Sequence, residues 1–133
     1  MASIHKDIPI AAPAHEVWDA LRDFGALHTR FVPGFVLDTK FDGEARIVSF
    51  ANGTAARELL VDCDEARRRL VYAVVSERVK QHSASVQVFA EGETSCLLRW
   101  IVDVLPHEIA PYISGQMDQA ALAMQDALSR VTA

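Results

Sequence analysis

From Phe35 to Leu105 the chain reads as six alternating runs broken by turn signals, and it then changes period once, into a long stretch with helical spacing. The runs are Phe35–Phe41, Glu44–Phe50, Thr54–Cys63, Arg69–Val75, His82–Ala90 and Thr94–Leu105. Asp42-Gly43, Asn52-Gly53, the Asp64–Arg68 turn, the polar Ser76–Gln81 loop and Glu91-Gly92-Glu93 separate them, and Pro106 closes the series. In the tail, Ile109, Ile113, Met117, Ala120, Met124, Leu128 and Val131 recur every three or four residues, which is the apolar stripe of one amphipathic helix with Pro111 in or near its first turn. Strand and helix periods that do not interleave exclude a parallel βαβ sheet. Helices segregated beside an antiparallel meander make the fold α+β.

Upstream, Ile4, Ile8 and Ile10 share a parity across Ser3–Ala11, so this is a seventh strand. Pro9 cannot donate to a ladder, which places the strand near an edge. Pro13 can open a helix carrying Val17, Trp18, Leu21 and Phe24, with Gly25 as its C-cap. Ala26–Phe31 forms a second short helix, broken by Pro33-Gly34. Seven strands with one long helix predict a sheet that curls around that helix.

At 133 residues the chain is expected to be one domain over residues 1–133, large enough for a core with a hollow in it. A net charge of -5 argues against a nucleic-acid footprint. No apolar run approaches the roughly 18 residues of a membrane span. Lys6 and Asp7 interrupt any leader-like run, so the expectation is a cytoplasmic protein without stable membrane insertion. Cys63 and Cys96 lack metal spacing and read as thiols. His15 and Asp19 read as a surface pair, and no phosphate loop or nucleophile elbow is present, so no cofactor or metal is expected.

The hairpin at Asn52-Gly53 poses the sharpest question. With those two residues at the tip, Phe50 faces Ala55, Val48 faces Arg57 and Arg46 faces Leu59. One face then carries Arg46, Val48, Phe50, Ala55, Arg57, Leu59 and Val61, and Asp62 on the opposite parity argues that this face is the inner one. Inner sets follow for the later strands: Leu70, Tyr72 and Val74; His82, Ala84, Val86 and Val88; Cys96, Leu98, Trp100 and Val102. A dry core does not choose two unpaired guanidinium groups. Three placements are open: the arginines snorkel at the open end of the sheet, pair with an inner carboxylate, or line a wet cavity and meet a ligand.

The segments "IPIAAPAHEVWDALRDFGALHTRF" at Ile8–Phe31, "ARIVSFANGTAARELLVDCDEARRRLVY" at Ala45–Tyr72 and "TSCLLRWIVDVLP" at Thr94–Pro106, in this order, resemble the SRPBCC superfamily of START domains and birch-pollen-type allergens. The branch it resembles is that of small bacterial polyketide cyclase/dehydrase-like proteins. The resemblance implies a helix-grip fold: a seven-stranded curved antiparallel sheet around the C-terminal helix, with a hydrophobic cavity between them. It implies a mouth bordered by Gly53–Ala55, Ser76–Gln81 and Pro106–Pro111. In the plant hormone receptors of this superfamily a polar residue near the position of Arg57 helps hold the ligand, but their gate sequence is absent here, where "NGTA" stands instead.

The expected ligand wall is Arg46, Val48, Arg57, Leu59, Tyr72 and Val74 on the middle strands; His82, Ala84, Val86, Leu98 and Trp100 on the last two; and Ile113, Met117, Ala120 and Met124 on the helix. The first functional expectation is binding of a small hydrophobic molecule with a polar group, by a monomer or homodimer. The second is an aromatase/cyclase or dehydratase, with Arg57 polarising an enolate oxygen and Tyr72 or His82 moving a proton. The third is a non-catalytic interaction protein that dimerises through the residual apolar outer face of Ile47, Leu60, Leu97 and Ile101.

Overall fold

The computed structural model describes residues 2–77 and 79–129. Its strands are β1 (Ala2–Ile10), β2 (Val36–Phe41), β3 (Ala45–Phe50), β4 (Ala55–Asp64), β5 (Arg69–Val75), β6 (Gln81–Ala90) and β7 (Cys96–Leu105). They form one antiparallel sheet in the order β1-β7-β6-β5-β4-β3-β2. β1 is an edge strand, as Pro9 requires. Between β1 and β2 lie α1 (Ala14–Arg22) and two short turns of helix, Phe24–Ala26 and Leu27–Phe31. After β7 comes α2 (Ala110–Leu128), 19 residues long with Pro111 in its first turn. Val131, assigned to the same stripe, lies outside the described residues.

Gly25 does not act as a left-handed cap. α1 closes at Asp23, and Gly25 sits inside the following turn without a positive φ. A Cβ at Gly25 would stand 3.1 Å from that of Phe41, so glycine is there for close approach. That approach lets Phe24 pack edge-on against Phe41, with ring centroids 5.4 Å apart.

The register of β5, β6 and β7 puts Leu70, Tyr72, Val74, His82, Ala84, Val86, Leu98, Trp100 and Val102 on the concave face, as alternation predicts. β4 is inverted relative to the expectation. The loop holds three residues, not two: Phe50 N–H donates to the Thr54 carbonyl at 2.8 Å, and Gly53 N–H donates to the Phe50 carbonyl at 3.1 Å. Gly53 takes φ +89°, and Asn52 Oδ1 accepts from the Thr54 N–H and hydroxyl. This is a type I turn with a glycine bulge, another loop that Asn-Gly suits. Arg46 therefore pairs with Glu58, and Val48 with Ala56. A one-residue slip moves every side chain to the other face. Ala56, Glu58 and Leu60 turn inward. Ala55, Arg57 and Leu59 turn outward, with Arg57 in register between Ile47 and Val75. A bulge between Leu60 and Asp62 leaves Val61 exposed and brings Cys63 in beside Leu70.

α2 leans toward one edge of the sheet. Lys6, on the inner parity of β1, donates to Ser114 Oγ at 2.8 Å and pairs with Asp118 at 2.9 Å. Gln125 Nε2 donates to the Pro9 carbonyl at 3.0 Å. The helix packs chiefly on β1 and on the Leu27–Phe31 turn. α1 packs on β6 and is clamped by Glu65, which accepts from Trp18 Nε1 at 2.6 Å and from Arg22 Nε at 2.7 Å. The core is therefore dense under α1 and along β1, and α2 does not pack closely on the concave face of β4 and β5.

Candidate ligand-binding cavity

A cavity of about 1020 Å³ fills the space that α2 leaves open. That is at the top of the roughly 300–1,000 Å³ range of small-molecule sites. Its apolar wall comes from Leu70, Val74, Val86 and Val102 on the sheet, Leu27, Phe31 and Phe35 beside β2, and Ile113, Met117, Ala120 and Met124 on α2. Exposed residues border it at the β3–β4 loop, at Ser76 and Glu77, and at Tyr112 near the start of α2; of the Pro106–Pro111 segment that the resemblance implies, Ile109 lines it. A smaller groove of about 420 Å³ lies between Pro33–Phe35 and Gln119, Ala123, Asp126 and Ala127. Its polar residues, Gln119 and Asp126, are exposed, so it lacks the buried polar groups of a built site.

The polar part of the large cavity is a connected set. Arg46 is 4% exposed and Glu58 7%. Arg46 Nε donates to Glu58 Oε1 at 2.8 Å, Nη2 reaches the same oxygen at 2.7 Å, and Nη1 donates to the Phe24 carbonyl at 3.2 Å. The guanidinium carbon lies 3.8 Å from the Phe24 ring centroid and 5.3 Å from that of Tyr72. Of the three placements open for the arginines, Arg46 takes the carboxylate pair and Arg57 takes solvent.

Burial pushes the Tyr72 phenol well above its ordinary range, with the Glu58 charge adding to the effect and Arg46 opposing it. The Trp100 indole N–H also opposes it weakly, but falls short of a hydrogen bond: Trp100 Nε1 is buried without a partner among the described residues. His82 is half-buried, and burial holds its imidazole below the ordinary value of 6.5. The unfolded chain therefore takes up this proton before the folded chain does. Stability from His82 is complete above pH 6.5 and is lost as pH falls through the lowered folded value. The melting temperature of His82→Gln is expected to fall less than that of the parent between about pH 7 and pH 5. Superimposable pH curves would contradict this.

Most of the expected wall lines the cavity: Arg46, Tyr72, Val74, His82, Val86, Trp100, Ile113, Met117, Ala120 and Met124. Four residues do not belong to its interior. Leu59 is turned outward by the hairpin slip. Val48 and Leu98 are fully buried in the packed core. Ala84 is buried between Tyr72 and Val102, whose longer side chains form the surface. Arg57 is exposed and reaches only the rim. The reading from sequence missed Glu58, because the wrong loop length put it outside. It also missed Leu27, Phe31 and Val32, which no strand alternation marks, and Phe35 and Val36 at the head of the first alternating run. The signal for Glu58 was available: a buried Arg46 needs a carboxylate, and Glu58 is the hairpin residue opposite it once Asn52-Gly53 is read as the end of a three-residue loop.

Among the described residues no group of three or more metal-ligating side chains occurs, and no helix is long and apolar enough to cross a membrane. A curved antiparallel sheet gripping a long C-terminal helix over a cavity is the helix-grip architecture of SRPBCC proteins. The chain belongs to the polyketide cyclase / dehydrase and lipid transport family, whose model matches residues 1–131. No curated protein matches it by sequence. Among solved structures it is similar to the protein XoxI from Bacillus cereus, at TM-score 0.85 and 19% identity over 96% of each chain. It is similar to the di-domain ARO/CYC BexL of the BE-7585A biosynthetic pathway, at TM-score 0.81 and 15% identity over 96% of this chain and 46% of that one. Norcoclaurine synthase from Thalictrum flavum, bound to dopamine and hydroxybenzaldehyde, aligns at TM-score 0.72 and 19% identity over 94% and 84%. Likeness at these identities carries the fold alone.

Proposed function

We propose that this chain binds a small hydrophobic molecule bearing a polar group, in the space between the sheet and α2. The observation that carries the reading is a large, mostly apolar hollow with buried polar side chains gathered on one wall. Apolar surface supplies affinity, and a few fixed polar groups supply orientation. Naphthalene is a suitable probe because it tests the apolar wall alone. Ligand-observed NMR titration is expected to give saturable binding in the micromolar range. Absence of binding up to the solubility limit removes the reading.

A second reading, cyclase or dehydratase chemistry, draws support from the family and from three polar side chains, Glu58, Tyr72 and His82, near one another. In register, Glu58 opposes Val74 on β5, two residues from Tyr72, and Tyr72 opposes Ala84 on β6, two residues from His82. A neutral imidazole there is suited to accept a proton. Arg57 is withdrawn from the enolate-polarising role, since it is exposed. Conversion of a linear poly-β-ketone to an aromatic product, abolished in His82→Gln while naphthalene still binds, separates this reading from simple carriage.

A further inference from the structure

We infer that the cavity selects an uncharged guest offering both a hydrogen-bond acceptor and a donor, such as a phenol, an alcohol or a hydroxyketone, and disfavours carboxylate anions. The inference rests on the binding reading above and adds the chemical class of the ligand.

The two arginines first suggest an anion site, and the geometry argues the opposite. Each of the three nitrogens of Arg46 already has a protein partner, and the Phe24 ring lies 3.8 Å from its guanidinium carbon. The positive charge is matched inside the wall by Glu58. Arg57, the other candidate, faces out. Burial keeps the His82 imidazole toward its neutral form, so it adds no cation to receive an anion. An incoming carboxylate would lose its hydration and meet Glu58 as a like charge.

The unengaged groups describe a different guest. Trp100 lines the cavity, and its buried Nε1 has no partner among the described residues, so it is a donor that a guest's acceptor would satisfy. Both Arg46 bonds fall on Glu58 Oε1, so Oε2 is an acceptor without a partner among the described residues. Tyr72 lies between them, 5.3 Å from the Arg46 guanidinium on one side and close to the indole N–H on the other. A hydroxyl can accept from Trp100 or donate to Glu58, whereas a carboxylate can only accept. A site built to form such bonds discriminates against guests that leave its groups unpaired.

The test compares naphthalene, 2-naphthol and 2-naphthoate at pH 7 by NMR titration. Naphthol is expected to bind at least about fivefold more tightly than naphthalene, and naphthoate at least about tenfold more weakly than naphthol. Trp100→Phe should weaken naphthol by about fivefold to tenfold while changing naphthalene less than about twofold, because it removes the N–H and keeps an aromatic ring. Glu58→Gln frees the charge of Arg46 and should reverse the preference toward naphthoate. This variant keeps the test decisive if Trp100→Phe does not fold. Equal or tighter binding of naphthoate by the parent chain overturns the inference and leaves the binding reading standing. So does an equal loss of naphthol and naphthalene in Trp100→Phe, or an unchanged preference in Glu58→Gln. Failure of all three probes, naphthalene included, removes the binding reading itself and the inference with it.

Discussion

Glu58→Leu is expected to lower the unfolding free energy by about 3–5 kcal/mol, measured as a shift in the urea midpoint at unchanged slope. The substitution keeps bulk but strands Arg46, whose side chain is 5% exposed, without its counter-charge. The Phe24 carbonyl and ring remain as partners, and neither carries a full negative charge. Adding Arg46→Met to the same chain is expected to restore stability to within about 1 kcal/mol of the parent or to exceed it, since a buried pair exchanged for apolar groups is often neutral or stabilising. Arg57→Met, by contrast, should change stability by less than about 0.5 kcal/mol, because its guanidinium is exposed. Were Arg57→Met the costly change and Glu58→Leu the silent one, the three-residue loop and its register would be wrong.

Opposite volume changes at Leu98 and Ala120 are expected to have unequal costs. Leu98 is 0% exposed, packed in the core and outside the cavity wall. Leu98→Ala opens a new void and should cost about 2–5 kcal/mol. Ala120 is also buried, at 2% exposed, but it lines the cavity. In a filled interior Ala120→Phe would force strain worth about 1–3 kcal/mol. Into a hollow it should cost less than about 1 kcal/mol, and it should weaken naphthalene binding because the ring occupies guest space. A loss above about 1 kcal/mol for Ala120→Phe would mean that the interior is packed at that point.

Most of the fold could be read from sequence because its periods are pure and its turn signals strong. Arg69–Val75 has the same bounds in the sequence reading and in the structure. Arg99 and Asp103 mark the outer parity of β7, and its long pairing with β6 carries that parity across. β4 resisted because its own pattern is ambiguous. Leu59 and Leu60 are both apolar, a bulge at Val61 changes the parity midway, and Asn52-Gly53 suits loops of two lengths that differ by one register step. The hollow was expected only through the family resemblance, because periodicity alone does not show it. A helical stripe tells which residues face the sheet, not how far the helix stands from it. That distance depends on contacts far apart in sequence, such as Lys6 with Ser114 and Asp118.

The most direct test of a guest-accepting hollow is to find where a bound probe sits. With naphthalene at saturation, intermolecular NOEs are expected to the methyl groups of Met117, Met124, Val74 and Val86, which come from α2, β5 and β6 and all line the cavity. NOEs confined to exposed apolar side chains away from the cavity, Leu37, Val61 and Phe89, or none at all, would contradict it.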